Sequence, residues 1–233
     1  MSSTVEISLY GHLTHDIVFD GFKQTHTLGA IANLWNTIVN LNPSISINVE
    51  PTMIGKALIL VDRKSKTRIS KPNMNLVENK NINTLINSKW SHIVYINQLP
   101  NLEFIKDVRK TSEIVSADIS VGGKIPNEYL KYIDYLFISD EDIDRPLSDL
   151  VKLVNGWVIL HYPNGSISTN GKETIKCETD IIKNLNVLSA GDTFASCFIL
   201  EMLKGNKIKQ SLNTAHLLTY KILKEKNEKN EKV

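Results

Sequence analysis

Residues 189–194 read Ser-Ala-Gly-Asp-Thr-Phe, and no other stretch of the chain says more about its structure. Two small residues precede Gly191, and an apolar run with helical character, residues 194–203, follows Asp192. The pattern predicts a turn that leads into a helix. Backbone N–H groups at a helix start have no helical partners, so the turn suits an anion such as phosphate. Asp192 adds a carboxylate that can accept the proton of an attacking alcohol.

The hexapeptide alone also fits a purely structural turn, because Asp is a common N-cap residue.

Composition narrows the choice of protein class. The chain has 233 residues, of which 42% are apolar and 22% charged, as in a globular protein with a sizeable core. We predict one domain over residues 1–233, in which the Lys-, Glu- and Asn-rich residues 224–233 form a charged tail, either solvated or a frayed helix end.

Charge and cysteine content exclude several partners and compartments. The net charge is +2 and no basic segment is interleaved with aromatic residues, which argues against a nucleic-acid partner. The longest strongly apolar run, residues 57–61, is too short to span a bilayer. Cys177 and Cys197 form no disulfide framework, and the N-terminus lacks the pattern of a signal peptide. We therefore expect a cytoplasmic protein that does not contact membranes.

Hydrophobic periodicity predicts alternating strands and helices. Strands are expected at 5–10, 17–19, 45–49 and 57–61, a helix at 28–41 and a short helix at 83–88. A regular order of strand and helix then runs from residue 93 to residue 160. Turn signals at 163–165 and 170–171 predict hairpins, and helices are expected at 190–204 and 208–224. This order implies a mostly parallel sheet covered by helices on both faces.

The C-terminal motif resembles the signature of the ribokinase-like (pfkB-type) carbohydrate and nucleoside kinases, Asp-Thr-x-Gly-Ala-Gly-Asp-x-Phe. Residues 186–194 keep the Ala-Gly-Asp core and the Phe, but Asn186 and Ser189 replace the first Asp and the first Gly. The resemblance implies Asp192 as the base and an anion hole made by the turn residues Ser189, Ala190 and Gly191. It also implies nucleotide contacts from Asn186 and Thr193.

Two N-terminal motifs resemble the same family. Its Gly-x-x-Asn-x-Asp corresponds to residues 11–16, where Thr14 replaces Asn and Asp16 is kept. Its Gly-Gly-x-x-x-Asn corresponds to residues 28–33, with one Gly lost and with Gly29 and Asn33 kept. The resemblance implies that Thr14, Asp16, Gly29 and Asn33 hold substrate hydroxyls.

A magnesium motif is also implied. The strand ending near residue 138 resembles the one that precedes Asn-x-x-Glu in the family, and residues 139–142 here read Ser-Asp-Glu-Asp. Glu141 and Asp142 would then hold Mg²⁺ through water. The same acidic group also fits a solvated helix start.

The resemblance implies a three-layer α/β/α sandwich with a mostly parallel central sheet and a reduced β-lid, because only about a dozen residues separate the first two motifs. Such lids often form the dimer interface, so monomer and homodimer both stay open. The implied activity is ATP- and Mg²⁺-dependent phosphorylation of a sugar, polyol or nucleoside. The pair His15-Asp16 and the short lid look most like the myo-inositol-kinase branch. The altered motif residues favour an alternative, a catalytically degenerate protein that binds a nucleotide or metabolite.

Overall fold

The computed structural model describes residues 4–62, 67–79, 85–119, 124–180 and 186–231. Within these ranges ten strands form one sheet in the order β10-β9-β8-β7-β6-β5-β1-β3-β4, and β2 pairs with β1. The strands are β1 (Val5–Asp20), β2 (Lys23–Ala30), β3 (Ile47–Asp62), β4 (Thr67–Glu78), β5 (Ser88–Ile93), β6 (Ser112–Asp118), β7 (Tyr135–Ser139), β8 (Trp157–Tyr162), β9 (Gly165–Thr169) and β10 (Thr174–Glu178).

The centre of the sheet is parallel and its edges are antiparallel. Strands β3, β1, β5, β6, β7 and β8 are parallel neighbours, whereas β8–β9 and β9–β10 are hairpins. Parallel neighbours need crossover connections, and helices supply them. The helices are α1 (Ile31–Leu41), α2 (Phe104–Thr111), α3 (Leu147–Leu150), α4 (Ala190–Leu203) and α5 (Ile208–Glu231).

Helices cover both faces of the sheet, and each face has its own apolar core. Residues of α1, α4 and α5 pack on one face, where Phe137 points. Residues of α2 and α3 pack on the other, where the adjacent Leu136 and Ile138 point. This alternation along β7 is what a strand buried on both sides requires. The predicted three-layer α/β/α sandwich with a mostly parallel sheet is confirmed.

An extension of the sheet projects from its β1–β3 side. Leu13–Asp20 of β1 pairs antiparallel with β2, and the second half of β3 lies between β1 and β4. The β1–β2 hairpin is short, as the spacing of the two N-terminal motifs predicts. Strands β3 and β4 add two more strands to the same extension, which we call the lid.

Several predicted boundaries move in the structure. The strands expected at 5–10 and 17–19 are one strand, β1, and those expected at 45–49 and 57–61 are one strand, β3. The regular order of strands and helices, expected to begin with a strand at residue 93, begins earlier, because β5 ends at Ile93. Helix α1, expected from residue 28, begins at Ile31 because the three residues before it end β2. Of the helix expected at 83–88, residues 83–84 lie outside the described ranges and residues 85–87 have no regular structure.

Most of the residues predicted to form a charged tail belong to helix α5. Helix α5 continues to Glu231, and the side chain of Asn227 is buried against the residues that precede α4. Charged residues before and after Asn227 remain exposed. None of the helices in the described ranges has the length and hydrophobicity required to cross a membrane.

Candidate active site

The turn before α4 has a strained backbone and an internal hydrogen-bond network. Ser189, the N-cap residue, adopts the left-handed conformation with φ 67° and ψ 18°. Its carbonyl accepts hydrogen bonds from both the backbone N–H and the hydroxyl of Thr193, each at 2.9 Å. The N–H of Ala190 donates to the Val187 carbonyl at 3.0 Å. The turn is therefore closed by its own groups and keeps its shape without a ligand.

This network involves one of the predicted anion-hole groups. The Ala190 N–H donates to the Val187 carbonyl inside the turn, and its contact with an anion stays a prediction. Helix geometry leaves the N–H groups of Gly191 and Asp192, in the first turn of α4, without partners inside the helix, and both residues line the cavity. Thr193 is buried and its hydroxyl caps the turn, and its contact with a nucleotide stays a prediction.

Asp192 is joined to the N-terminal half of the chain by one hydrogen bond. The side-chain amide of Asn33 donates to Asp192 Oδ2 at 2.7 Å. Asn33 lies in the first turn of α1, whose apolar positions Ile31, Leu34 and Ile38 are fully buried. The hydroxyl of Ser196 on α4 is 3.4 Å from the Leu34 carbonyl, so the two helices pack side by side. This packing brings two motifs 159 residues apart into one site.

The predicted substrate residues Thr14, Asp16 and Gly29 cluster on the lid strands β1 and β2. Asp16 is 6% exposed, and its Oδ1 accepts no hydrogen bond from the described residues. Burial raises the pKa of Asp16, while the Thr14 hydroxyl and the His15 ring act to lower it. Gly29 lies against this carboxyl group, because a Cβ at Gly29 would fall 2.0 Å from Asp16 Oδ2. The structure therefore needs glycine at 29 to accommodate Asp16.

A cavity of about 280 Å³ opens beside the turn. Gly191, Asp192 and Ser189 line it, and so does Asn186, whose amide also donates to Asp20 of β1 at 3.3 Å. One part of the lining is apolar and aromatic, with Phe194, Leu223 and Tyr220 among its residues. Its carboxylates are Asp118, Asp140, Glu141, Asp142, Asp180 and Asp192. The cavity thus combines the turn that is predicted to bind an anion with an acidic wall of six carboxylates.

The predicted magnesium residues Glu141 and Asp142 lie in that wall. They follow β7, and the Asp142 N–H donates to the Ser139 carbonyl at 3.0 Å. Among the residues that the structure describes, no three His, Cys, Asp or Glu side chains are grouped to bind a metal directly. Mg²⁺ usually keeps several of its waters and binds through few protein ligands, so Glu141 and Asp142 stay the residues predicted to hold it through water.

Two histidines that line the cavity belong to none of the sequence motifs described above. His161 is the last residue but one of β8 and packs against the turn, since a Cβ on Gly191 would lie 3.3 Å from its Cε1. His216 of α5 is hydrogen-bonded to Ser166 Oγ at 2.8 Å and packs on the Phe194 ring. The position of His161 at the carboxyl end of a parallel strand is a usable signal, because ligands bind at that edge.

The His216 environment predicts a loss of stability in acid. Burial, with a smaller contribution from His161, lowers the pKa of His216 to about 4. The unfolded chain binds this proton near pH 6.5, so the native state is penalised as the pH falls from about 6.5 to about 4. We expect His216 alone to remove roughly 3 kcal/mol of unfolding free energy across that window. Urea unfolding at pH 7 and pH 4.5 should show a smaller acid loss in His216→Gln, and equal losses would contradict the prediction.

Ser189 predicts a gain in stability. A left-handed φ costs a non-glycine residue about 1–2 kcal/mol, whereas glycine adopts it freely. We expect Ser189→Gly to raise the free energy of unfolding by up to about 1 kcal/mol, after allowance for the greater freedom of glycine in the unfolded chain. Turnover should not fall, because the N–H groups of Gly191 and Asp192 keep their direction. Chemical denaturation checks this expectation, with Ser168→Gly, in a strand, as a destabilised comparison.

Comparison with solved structures finds kinases of the ribokinase family. One is a pyrophosphate-dependent kinase in the ribokinase family complexed with a pyrophosphate analog and myo-inositol, with TM-score 0.63, 15% identity and coverage of 91% of this chain and 93% of that chain. Adenosine kinase from Sinorhizobium meliloti has TM-score 0.69, 12% identity and coverage of 95% and 94%. Ribokinase from Thermotoga maritima has TM-score 0.68, 16% identity and coverage of 92% and 91%.

These likenesses extend over nearly the full length of both chains and establish the ribokinase-like fold. No protein-family model matches the sequence, and no curated protein is similar to it at a significant level.

Proposed function

We propose that this chain is a kinase that transfers a phosphoryl group from ATP, bound with Mg²⁺, to a hydroxyl of a sugar, polyol or nucleoside. The hydrogen bond between Asn33 and Asp192 carries this proposal. It joins a carboxylate in the first turn of α4, which lines the cavity, to α1, which begins two residues after Gly29. A phosphoryl-transfer enzyme needs an acceptor, a base and an anion hole close together.

The acceptor side of the site is built from the lid and α1. The buried Asp16 carboxylate has an oxygen available for a hydroxyl donor, and Thr14 is buried beside it. Gly29 abuts Asp16, and four residues later Asn33 binds Asp192. An acceptor held by Asp16 would therefore lie beside the Asp192 carboxylate. The short lid and the His15-Asp16 pair support a polyol such as myo-inositol as one acceptor to test.

The chemical step follows from the position of Asp192. The acceptor hydroxyl donates its hydrogen bond to Asp192, which takes the proton as the hydroxyl oxygen bonds to the terminal phosphorus of the donor. The bond from phosphorus to the bridging oxygen breaks, and that oxygen leaves with the nucleoside diphosphate. Negative charge on the phosphoryl oxygens is met by the N–H groups of Gly191 and Asp192 at the positive end of the α4 dipole.

The donor side of the site is the cavity. Its aromatic and apolar lining suits a nucleoside, and its carboxylates would repel a bare polyphosphate. Mg²⁺, when bound, neutralises phosphate charge, and Glu141 and Asp142 are the residues that would hold it through water. This acidic wall supports a metal-bound donor rather than a free one.

A substrate panel tests the proposal. The full chain is incubated with Mg²⁺ and either ATP or pyrophosphate, against polyols including myo-inositol, pentoses, hexoses and nucleosides, and phosphorylated products are followed by ³¹P NMR. We expect turnover with ATP and at least one acceptor. Turnover with pyrophosphate and not with ATP would make pyrophosphate the donor, and the reaction would still be phosphoryl transfer to a hydroxyl. Tight binding of ATP or an acceptor with no product in any pair would establish the degenerate binding protein instead.

A further inference from the structure

Lys226, in the segment expected to be a charged tail, lies next to the turn that precedes α4. Its ammonium nitrogen is 3.4 Å from Ser189 Oγ, and Ser189 lines the cavity. Lys226 is exposed, and the negative charge of Asp192 acts on it as well. A cation therefore faces the anion-binding turn from the side of α5.

The position of Lys226 is fixed by its neighbour in the chain. Asn227 is 1% exposed, and its side chain pairs with the backbone of Asn186, accepting from the N–H at 2.8 Å and donating to the carbonyl at 3.0 Å. Asn227 also donates to the Leu223 carbonyl, one turn earlier in α5, at 2.8 Å. This buried amide fastens the end of α5 to the residues that lead into the turn, so that residue 226 is held beside Ser189.

The charge of Lys226 has no carboxylate partner in an ion pair within the described part of the chain. The ion pairs there use other lysines, such as the exposed Lys152 with Asp149. A lysine in contact with Ser189, which lines a cavity with six carboxylates, lowers the cost of bringing a polyanion to the turn. Lysine is a point charge that suits phosphate oxygens.

We propose that Lys226 binds a phosphate group of the donor and thereby completes the anion hole of Gly191 and Asp192. The inference rests on the proposed function and adds a residue that the turn motif does not contain. Bound donor phosphate would replace the weak contact of the ammonium with Ser189 Oγ. The lysine would then stabilise the same phosphoryl charge that the α4 N-terminus meets.

Donor binding by the full chain tests this role without relying on turnover. Titration calorimetry with pyrophosphate and with ATP, each with Mg²⁺, compares wild type with Lys226→Met, Lys226→Arg and Lys224→Met. Lys224 is an exposed lysine on the same helix, two residues away and thus on another face. We expect Lys226→Met to weaken donor binding roughly tenfold or more, the loss of one charged hydrogen bond. Lys226→Arg should recover most of it, and Lys224→Met should bind like wild type.

Kinetics separate this role from a structural one. In Lys226→Met the donor KM should rise while the acceptor KM stays within about twofold, and the melting temperature should not change, because the Asn227 contacts are intact. Unchanged donor binding in Lys226→Met, or an equal loss in Lys224→Met, would overturn the inference while leaving the kinase proposal standing. Donor binding that depends on Lys226 in a chain without turnover would support this inference and contradict the kinase proposal.

Discussion

Asp192→Asn is expected to fold normally and to lose at least about 10²-fold in turnover, the usual contribution of a general base. Asparagine is nearly isosteric, suits the first turn of a helix and still offers an oxygen to the Asn33 amide, so the local structure should persist. What the substitution removes is the acceptor for the hydroxyl proton. Steady-state kinetics on the acceptor found in the panel, with the melting temperature as the check of folding, measure the loss.

A second carboxylate of the same cavity provides the control. Asp180 lines the cavity but lies outside α4 and is exposed. Asp180→Asn removes the same charge from the same wall, and we expect its turnover to stay within about threefold of wild type. Asp192→Asn retaining more than a tenth of wild-type turnover would remove Asp192 from the role of base. Equal losses in the two variants would assign the effect to the cavity charge.

The order of elements was predictable from the sequence because buried parallel strands and amphipathic helices have distinct periods. The long strands β1 and β3 were not, since each passes from the buried sheet into the lid. There one side of the strand is exposed and the hydrophobic pattern changes. The register of β1 against β3 also shifts between Gly11 and His12, so the hydrophobic pattern of β1 differs before and after this point.

The candidate site was predictable at its motif residues and not at its tertiary contacts. Asp16 and Asn33 could be proposed from their motifs. The structure shows Asn33 bonded to Asp192 and Asp16 packed against Gly29. The bond of the Ala190 N–H to Val187 depends on the conformation of the turn, which composition does not determine. Asn227 shows the same limit, because its polar neighbours indicate a solvated tail while its partner, Asn186, is 41 residues away.

The hydrogen bond from Asn186 to Asp20 adds a connection between the two halves of the site. Asp20 ends β1 at the turn of the lid hairpin, and Asn186 begins the turn motif. The same Asn186 is held by Asn227 of α5. The lid that carries Asp16 and the helix that carries Lys226 therefore meet at one residue, so the acceptor and donor sides share a structural support.

Asp16→Ala is expected to raise the acceptor KM roughly 10- to 100-fold while leaving donor affinity nearly unchanged. A carboxylate that accepts a substrate hydroxyl contributes about 1.5–3 kcal/mol per charged hydrogen bond. The matched control is Gln24→Ala, because Gln24 is an exposed residue on β2 of the same lid. Loss of donor binding in Asp16→Ala with acceptor binding intact would reverse the assignment of the two sides.

Stability distinguishes a binding role of Asp16 from a structural one. Its folded pKa is raised by burial, so its ionised form opposes folding at neutral pH, and this penalty disappears as the pH falls below the folded pKa. Removing the carboxylate should therefore leave the free energy of unfolding at pH 7 equal or higher, since Oδ1 has no hydrogen bond in the described structure to lose. If Asp16 opposes folding and is nevertheless needed to hold the acceptor, its role is binding. Denaturation of Asp16→Ala at pH 7 showing a loss of more than about 1 kcal/mol would instead make Asp16 a structural residue of the lid.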